Sequence, residues 1–223
     1  MESIPCERYK RKVNINDMKE IIDILTKVGA ILVNGHFVGT SGLHFDTYIN
    51  KDFLYPHTEE TSHICKIFAE KYKDADIETV VGPALGGIIL SQWVARYLSE
   101  IYGKEVFGVY TEKTLDGRQV FTRGYEKYVK NNKRVLVVED IITTGGSILK
   151  VIKTVKDAGG NIIGVCAMVN KNKDIKKDVF EVPFDALSDL YIPSYIAENC
   201  PLCKAGIPIN TDVGHGKKYL DRK

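Results

Sequence analysis

Val135-Leu-Val-Val-Glu139-Asp140-Ile141-Ile142-Thr143-Thr144-Gly145-Gly146-Ser147 reads as a strand that runs into a glycine turn and opens a helix. Its first four residues are apolar and mostly β-branched, as a short buried strand requires. Glu139 and Asp140 then arrive at the carboxyl edge of a sheet. One carboxylate there can accept hydrogen bonds from paired ribose hydroxyls, and the other can orient a neighbouring donor or a metal-bound water. Thr143, Thr144, Gly145, Gly146 and Ser147 follow, where glycine lets backbone approach a ligand closely. Exposed N–H groups at a helix start, aided by the helix dipole, favour a dianionic phosphate. The run lacks the Lys-Ser/Thr ending of a P-loop and the spaced glycines of a dinucleotide fingerprint. A glycine turn between strand and helix is common by itself. Acidic pair, apolar pair and phosphate nest in one run describe a cradle for a ribose 5-phosphate.

Working outward, the same strand–turn–helix grammar repeats. Thr79-Val-Val-Gly-Pro83 leads through Ala84-Leu85-Gly86-Gly87 into a helix carrying Ile89, Trp93, Val94 and Tyr97. Glu105 to Tyr110 is a second strand and Arg134 to Val138 a third. The helix after Ser147 carries Ile148, Val151, Ile152 and Val155 and stops at Asp157-Ala-Gly-Gly160, before a fourth strand from Ile162 to Val169. Short apolar strands alternating with helices indicate parallel βαβ units, whose ligands sit outside the carboxyl ends of the strands. Upstream, Asn16 is placed to cap a helix through about Val28, with Ile21, Ile22, Leu25 and Val28 on one face. Ala30 to Asn50 alternates β-type residues with the turn signals Asn34-Gly35 and Ser41-Gly42, and so reads as a hairpin-like hood. A helix from about Thr58 to Tyr72 would bury Ile64, Ile67 and Phe68. The expected fold class is α/β, with a mostly parallel central sheet flanked by helices and a small N-terminal hood. The expected layout is one domain over 1–223: helix and hood about 15–57, core about 75–170, C-terminal extension about 180–223.

A chain of 223 residues is long enough for one substantial α/β domain. The 44% hydrophobic and 27% charged composition argues against extended disorder. A net charge of +2, from 31 basic and 29 acidic residues, is too small to imply a nucleic-acid partner, and none is expected. No apolar stretch approaches the roughly 18 residues that cross a bilayer. The charged start Met1-Glu-Ser-Ile-Pro-Cys6-Glu-Arg has no apolar core behind it, so no secretory signal is expected and the expected compartment is cytoplasmic. The five cysteines, Cys6, Cys65, Cys166, Cys200 and Cys203, are too sparse for a disulfide framework.

The run from Glu139 to Ser147 resembles the signature of type I phosphoribosyltransferases, which bind phosphoribosyl pyrophosphate. Within that family the resemblance is to the orotate-using branch in its shorter-loop form. Gly35-His36-Phe-Val-Gly-Thr-Ser41-Gly-Leu-His44 is similar to its hood segment, and Gly82-Pro83-Ala84-Leu85-Gly86-Gly87 to its pyrophosphate loop. Tyr110-Thr-Glu112-Lys113 with Phe121-Thr-Arg123-Gly124 resembles the catalytic loop and its return. Cys200-Pro-Leu-Cys203-Lys-Ala-Gly-Ile-Pro208 resembles a tail of that shorter form. Together these span about residues 15 to 216.

The resemblance implies transfer of a phosphoribosyl group from phosphoribosyl pyrophosphate to orotate, giving orotidine 5′-phosphate and pyrophosphate in pyrimidine (UMP) synthesis. It also implies Mg²⁺ as cofactor and a homodimer in which the lid serves the partner's site. Glu139, Asp140, Ile141, Ile142, Thr143, Thr144, Gly145, Gly146 and Ser147 would hold the ribose and 5′-phosphate. Pro83, Ala84, Leu85, Gly86, Gly87 and Lys113 would hold the pyrophosphate, in a loop that in the family often contains a non-proline cis peptide. Lys113 and Asp140 are the expected catalytic groups. The longer family pattern has arginine where Glu112 stands here, and a histidine absent from this loop, so Arg118 and Arg123 are candidate substitutes or plain solvated cations. Thr143, Lys171, Ser41 and Tyr48 are the orotate candidates, with Lys51 beside them; Tyr48 is equally readable as a packing aromatic. Asn170-Lys171 stands where the family places Asp-Arg, and lysine lacks arginine's bidentate fork. No fixed protein ligand for Mg²⁺ is expected beyond Asp140 acting through water.

His36, His44 and His63 have no partner at metal-ligand spacing; His36 and His44 belong to the hood segment, and turn or core hydrogen bonding is the role expected for each of those two. Cys200-Pro-Leu-Cys203 is half a zinc site, with His215 or a second copy as conceivable completions. A packed C-terminal turn without zinc is the expected state, and Lys217 to Lys223 is expected as a solvated tail. Two competing functions stand beside the orotate reading: transfer to another base such as a purine, and a non-catalytic regulator that binds the donor. The regulator normally needs a nucleic-acid-binding surface, and residues 1–30 are too short for a separate winged helix.

Overall fold

The computed structural model describes residues 15–175 and 179–221. Helix α1, Ile15–Lys27, is already under way at Ile15, so Asn16 lies inside it and not at its cap. Ile21 and Leu25 form its buried stripe. The hood consists of two nested antiparallel ladders of two residues per strand. Strand β1 (Ile31–Leu32) encloses β2 (Phe37–Val38) and β3 (His44–Phe45), and pairs with β4 (Tyr48–Ile49), while β2 pairs with β3. The predicted turn residues adopt the left-handed backbone such reversals need, with φ of 58° at Asn34 and 80° at Gly42. Helix α2, Thr58–Lys71, buries Ile64 and Phe68 as its spacing predicts.

The core begins with β5 (Thr79–Pro83), followed by α3 (Gly86–Tyr102) and β6 (Phe107–Lys113). Strand β7 (Gln119–Val120) turns back on β6. The chain then crosses to β8 (Arg134–Ile142), α4 (Gly146–Asp157) and β9 (Asn161–Asn170). A last strand, β10 (Phe184–Asp189), falls within the stretch read from sequence as a C-terminal extension, and it completes one sheet. Five strands run parallel in the spatial order β10, β9, β8, β5, β6, and β7 closes the far edge antiparallel. Two short helices, α5 (Pro201–Lys204) and α6 (Gly216–Leu220), finish the described chain.

Alternation along each strand splits the core into two layers. Val80, Leu136, Val138, Cys166 and Met168 face one layer with Leu90, Val94 and Leu98 of α3. Val81, Val135, Val137, Val165 and Ala167 face the other with Ile148, Val151, Ile152 and Val155 of α4. Burial on both faces explains why these strands read as continuous apolar runs. The buried face of α3 differs from its aromatic one: Trp93 stacks on Tyr97 at 6.1 Å and stays 37% exposed.

The strand order also sets where a ligand fits. From β5 the chain moves to β6 on one side, then returns past β5 to β8 on the other. The crevice between β5 and β8 is therefore the topological switch point, where open α/β sheets bind ligands. Pairing between them covers only Thr79–Val81 with Val135–Val137. Beyond Val137, β8 is held by β9 alone, through Glu139↔Ala167 to Ile142↔Asn170. Its acidic residues thus lie within an extended strand that is open on the β5 side.

Candidate active site

The turn after β5 and the turn after β8 face each other across a cleft of about 540 Å³, roofed by the hood. The donor candidates Pro83 to Gly86 and Glu139 to Ser147 line it, together with Ser41, Tyr48, Lys51, Lys113 and Lys171. The peptide between Ala84 and Leu85 is cis, as the family resemblance implies. Close packing makes glycine necessary here: a Cβ on Gly82 would strike the Gly87 backbone, and one on Gly86 would strike the Asp140 carboxylate. Gly87 lies beneath this surface and shapes the turn without lining the cleft. Gly145 opens α4 with φ of 75°, and its α-hydrogen side is filled by the Phe180 ring, so an L side chain is excluded twice over.

Asp140 is the hub of the cleft. Its Oδ2 accepts the Tyr55 hydroxyl at 3.1 Å and pairs with Lys51 Nζ at 2.9 Å, while Oδ1 accepts the Ile141 N–H at 2.7 Å. Burial works against the Lys51 ammonium, but the Asp140 carboxylate beside it prevails and raises the lysine pKa above its ordinary value. Glu139 is buried behind Asp140 and accepts the Asp140 N–H at 3.1 Å. Burial first, and the neighbouring Asp140 charge second, push its carboxyl well above the usual carboxylate range. The two acids therefore differ: Asp140 is ion-paired with Lys51, and Glu139 is held toward its neutral form.

The base-side candidate Lys171 follows β9 directly, and its N–H bonds the Ile142 carbonyl at 2.8 Å. Pairing of β8 with β9 thus sets a buried lysine beside the glycine turn that opens α4. Its ammonium lies 4.4 Å from the Phe45 ring centroid, and burial brings its pKa down to about 8. Tyr48 lines the cleft and also packs against Phe37, with ring centroids 5.6 Å apart.

The arginines behave differently. Thr114 to Arg118 is the tip of the β6–β7 hairpin, tethered to α4 by Lys150 Nζ on the Gly117 carbonyl at 2.6 Å. Arg118 pairs with Asp116 at 2.7 Å and Arg123 with Glu112 at 3.4 Å, and neither lines the cleft. Each has a carboxylate two residues away or directly across the hairpin, which neutralises it locally. Of the loop cations named from sequence, only Lys113 reaches the site. Because exposed ion pairs contribute at most about 1 kcal/mol, Arg118→Ala and Arg123→Ala should each leave kcat/KM within about threefold; a loss above about tenfold in steady-state assays would return these residues to the machinery. Lys150, Gln119 and Tyr55 are site residues that sequence reading missed. Nothing local signals Tyr55, which meets Asp140 from 85 positions away.

The tail corrects two further expectations. His215 bonds Thr40 Oγ1 at 3.0 Å and borders the cleft, away from the cysteine pair. The basic end is also more than a solvated tail, since the Tyr219 ring of α6 meets His44 edge-on at 5.0 Å. His63 pairs with Glu20 at 2.7 Å.

Comparison with known proteins agrees with this geometry. Residues 52–185 match the phosphoribosyl transferase domain. The chain is 42% identical over 195 residues to the orotate phosphoribosyltransferase of Thermoanaerobacter sp. (strain X514), covering 86% of this chain and 95% of that protein. It is 39% identical over 198 residues to the orotate phosphoribosyltransferase of Thermotoga maritima, covering 89% and 100%. Among solved structures, the orotate phosphoribosyltransferase of Mycobacterium tuberculosis superposes with a TM-score of 0.60 at 23% identity, over 78% of this chain and 97% of that one, which shows the shared fold. The chain belongs to the phosphoribosyltransferase family, and within it to the orotate phosphoribosyltransferases.

Proposed function

We propose that the chain transfers the phosphoribosyl group of phosphoribosyl pyrophosphate to orotate, releasing pyrophosphate and forming orotidine 5′-phosphate for pyrimidine synthesis. The observation that carries this reading is a glycine turn opening a helix and a buried lysine, set at the ends of adjacent strands of one cleft. An anionic acceptor ring needs a cation where it docks, and Lys171 supplies one beside Thr143, with Ser41 and Tyr48 on the hood side. The 5′-phosphate fits the N–H groups of Thr144 to Ser147 at the start of α4. Asp140 accepts the ribose hydroxyls. In the reaction the bond from C1′ to the pyrophosphate oxygen breaks and the bond from C1′ to the ring nitrogen forms. Positive charge grows on the ribosyl ring and negative charge on the leaving group. Backbone N–H groups of the Pro83–Gly87 turn and the Lys113 ammonium stabilise that departing charge.

Mg²⁺ fits this site as a cation carried in on substrate oxygens. Both Asp140 oxygens already hold donors, and no group of three or more His, Cys, Asp or Glu ligands gathers at the cleft among the described residues. Asp140 would touch it through water, and the ion would supply charge neutralisation on the pyrophosphate. No helix among the described residues is long and apolar enough to cross a membrane. A charged sugar phosphate as donor favours the cytoplasm as the compartment, and the family resemblance favours a homodimer, with one domain spanning the chain.

Pyrophosphate release assayed with orotate, uracil and purines in the presence of Mg²⁺ tests the reading. Turnover with orotate is expected; turnover with a purine alone would overturn it. Lys171 gives a second test. Losing a charge-assisted contact costs about 1.5–3 kcal/mol, so Lys171→Ala should raise the orotate KM about 10- to 100-fold and leave the donor KM within about threefold. With its pKa near 8, Lys171 loses its charge as pH rises through that value. Then kcat/KM for orotate should fall above about pH 8 in the native chain, and this fall should vanish in Lys171→Arg, whose guanidinium stays charged.

A further inference from the structure

The hood and the tail, remote in sequence, bring four ligand groups to one point. His36, His44, Cys200 and Cys203 each offer an atom, and the four atoms lie within 4.8 Å of one another. We propose that this cluster is a structural zinc site that staples the C-terminal tail to the hood. This reverses the zinc-free turn expected from sequence. Spacing along the chain offers Cys200 and Cys203 with His215 or a second copy as completions, because the other half of this cluster comes from a hairpin about 160 residues earlier.

The geometry fits a tetrahedral ion. Zinc bonds of about 2.0–2.1 Å to nitrogen and about 2.3 Å to sulfur imply nitrogen–sulfur edges near ~3.5 Å and a nitrogen–nitrogen edge near ~3.3 Å. The observed edges are 3.7 Å from Cys200 Sγ to His36 Nε2, 3.7 Å from Cys203 Sγ to His36 Nε2, and 3.4 Å from Cys203 Sγ to His44 Nδ1. The two ring nitrogens are 2.7 Å apart, so they must separate by roughly half an ångström when both turn lone pairs to an ion.

The hydrogen-bond partner of His36 points the same way. His36 Nδ1 lies 2.7 Å from the Ile207 carbonyl, which has no proton to give, so Nδ1 carries the hydrogen. With Nδ1 engaged on that carbonyl, Nε2 is the ring atom turned to the cluster, the arrangement that metal-binding histidines adopt. His36, His44 and Cys200 are buried, and two thiolates would balance the charge of Zn²⁺ without importing net charge into the interior.

The staple has a structural purpose. Backbone bonds already join tail to hood: Tyr195 pairs with His44 in both directions at 2.8 and 3.0 Å, and the Asn210 N–H reaches the His36 carbonyl at 2.7 Å. An ion beneath them would fix the hairpin that carries Ser41 and Tyr48 over the cleft.

Metal analysis of the untagged full-length protein, prepared under reducing conditions, is expected to find about one zinc per chain. Replacement by Co²⁺ should give the intense visible bands of a tetrahedral site with two thiolates. Cys200→Ser/Cys203→Ser should abolish both signals. Chelation should lower Tm by on the order of 10 °C and restore two reactive thiols. A folded wild-type chain that binds neither zinc nor Co²⁺ would overturn the proposal, as would full metal content in the double variant. Loss of both thiols to a Cys200–Cys203 disulfide in the reduced, metal-supplemented protein would overturn it too. Should the double variant fail to fold, the zinc content and Co²⁺ spectrum of the wild-type chain decide alone.

Discussion

Asp140→Asn is expected to lower kcat/KM for phosphoribosyl pyrophosphate by about 100-fold or more while the chain remains folded. The substitution keeps size and removes the carboxylate at a side chain that touches both Lys51 and the Pro83–Gly87 turn. Lys51 then keeps an ammonium 2.9 Å from a neutral amide in a partly buried site. The amide must also present an N–H in place of one acceptor, either to the Tyr55 hydroxyl or to the ribose. Breaking one partner of a buried, hydrogen-bonded charge pair costs about 2–5 kcal/mol, or roughly 30- to 5,000-fold in rate by the usual conversion. The loss should appear with any accepted base, because Asp140 acts on the donor. Initial rates at varied donor concentration, with circular dichroism as a check of fold, measure it. Kinetics within about threefold of wild type would remove Asp140 from its place as hub.

The same variant separates what sequence makes legible from what it does not. The run from Val135 to Ser147 announces strand, acid pair and phosphate nest because every one of its functional groups is local, set by strand and helix-start geometry. The register that makes Asp140 special is not local. It depends on β5 leaving β8 after Val137 and on Tyr55 and Lys51 approaching from the segment after the hood. The place of Lys171 after β9 is legible in the sequence, but its burial is not, because that follows from Phe45 and the β8–β9 pairing. Arg118 and Arg123, readable from sequence as substitute or solvated cations, do not line the cleft, for the converse reason. Their charge is visible in sequence, and the carboxylates that neutralise it become neighbours only once the hairpin forms. The zinc cluster is the extreme case, four residues from two distant segments that share no spacing rule. In α3 the helix is plain in the sequence, yet the buried stripe runs through Leu90, Val94 and Leu98 and bypasses Trp93. Hydrophobicity alone favours the larger side chain, whereas the close approach of α3 to the sheet selects the residues that fit.

Gly86→Ala should remove most turnover, by about 100-fold, with a much smaller loss of stability, whereas Gly82→Ala should act chiefly on the fold. Both positions belong to one turn, and each added methyl meets a different obstacle. At Gly86 the methyl enters the space of Asp140 Oδ2 and the Tyr55 hydroxyl. These are ends of side chains, so the clash can be relieved by swinging the carboxylate aside, away from Lys51 and from the ribose. Misplacement by about 1 Å is enough to cost on the order of 10²-fold in an enzyme that relies on positioning. At Gly82 the methyl meets the backbone of Gly87, its carbonyl oxygen included. Backbone at the head of α3 cannot rotate away, so the turn itself must shift, and overpacking of this kind costs about 1–3 kcal/mol. For a chain of this size that corresponds to a fall in Tm of roughly 2–12 °C. Thermal unfolding and steady-state kinetics on the two variants together give the contrast. A Gly86→Ala chain with near-normal turnover would show that the carboxylate has room to yield, and that its fixed position at the pyrophosphate turn is not what the reaction uses.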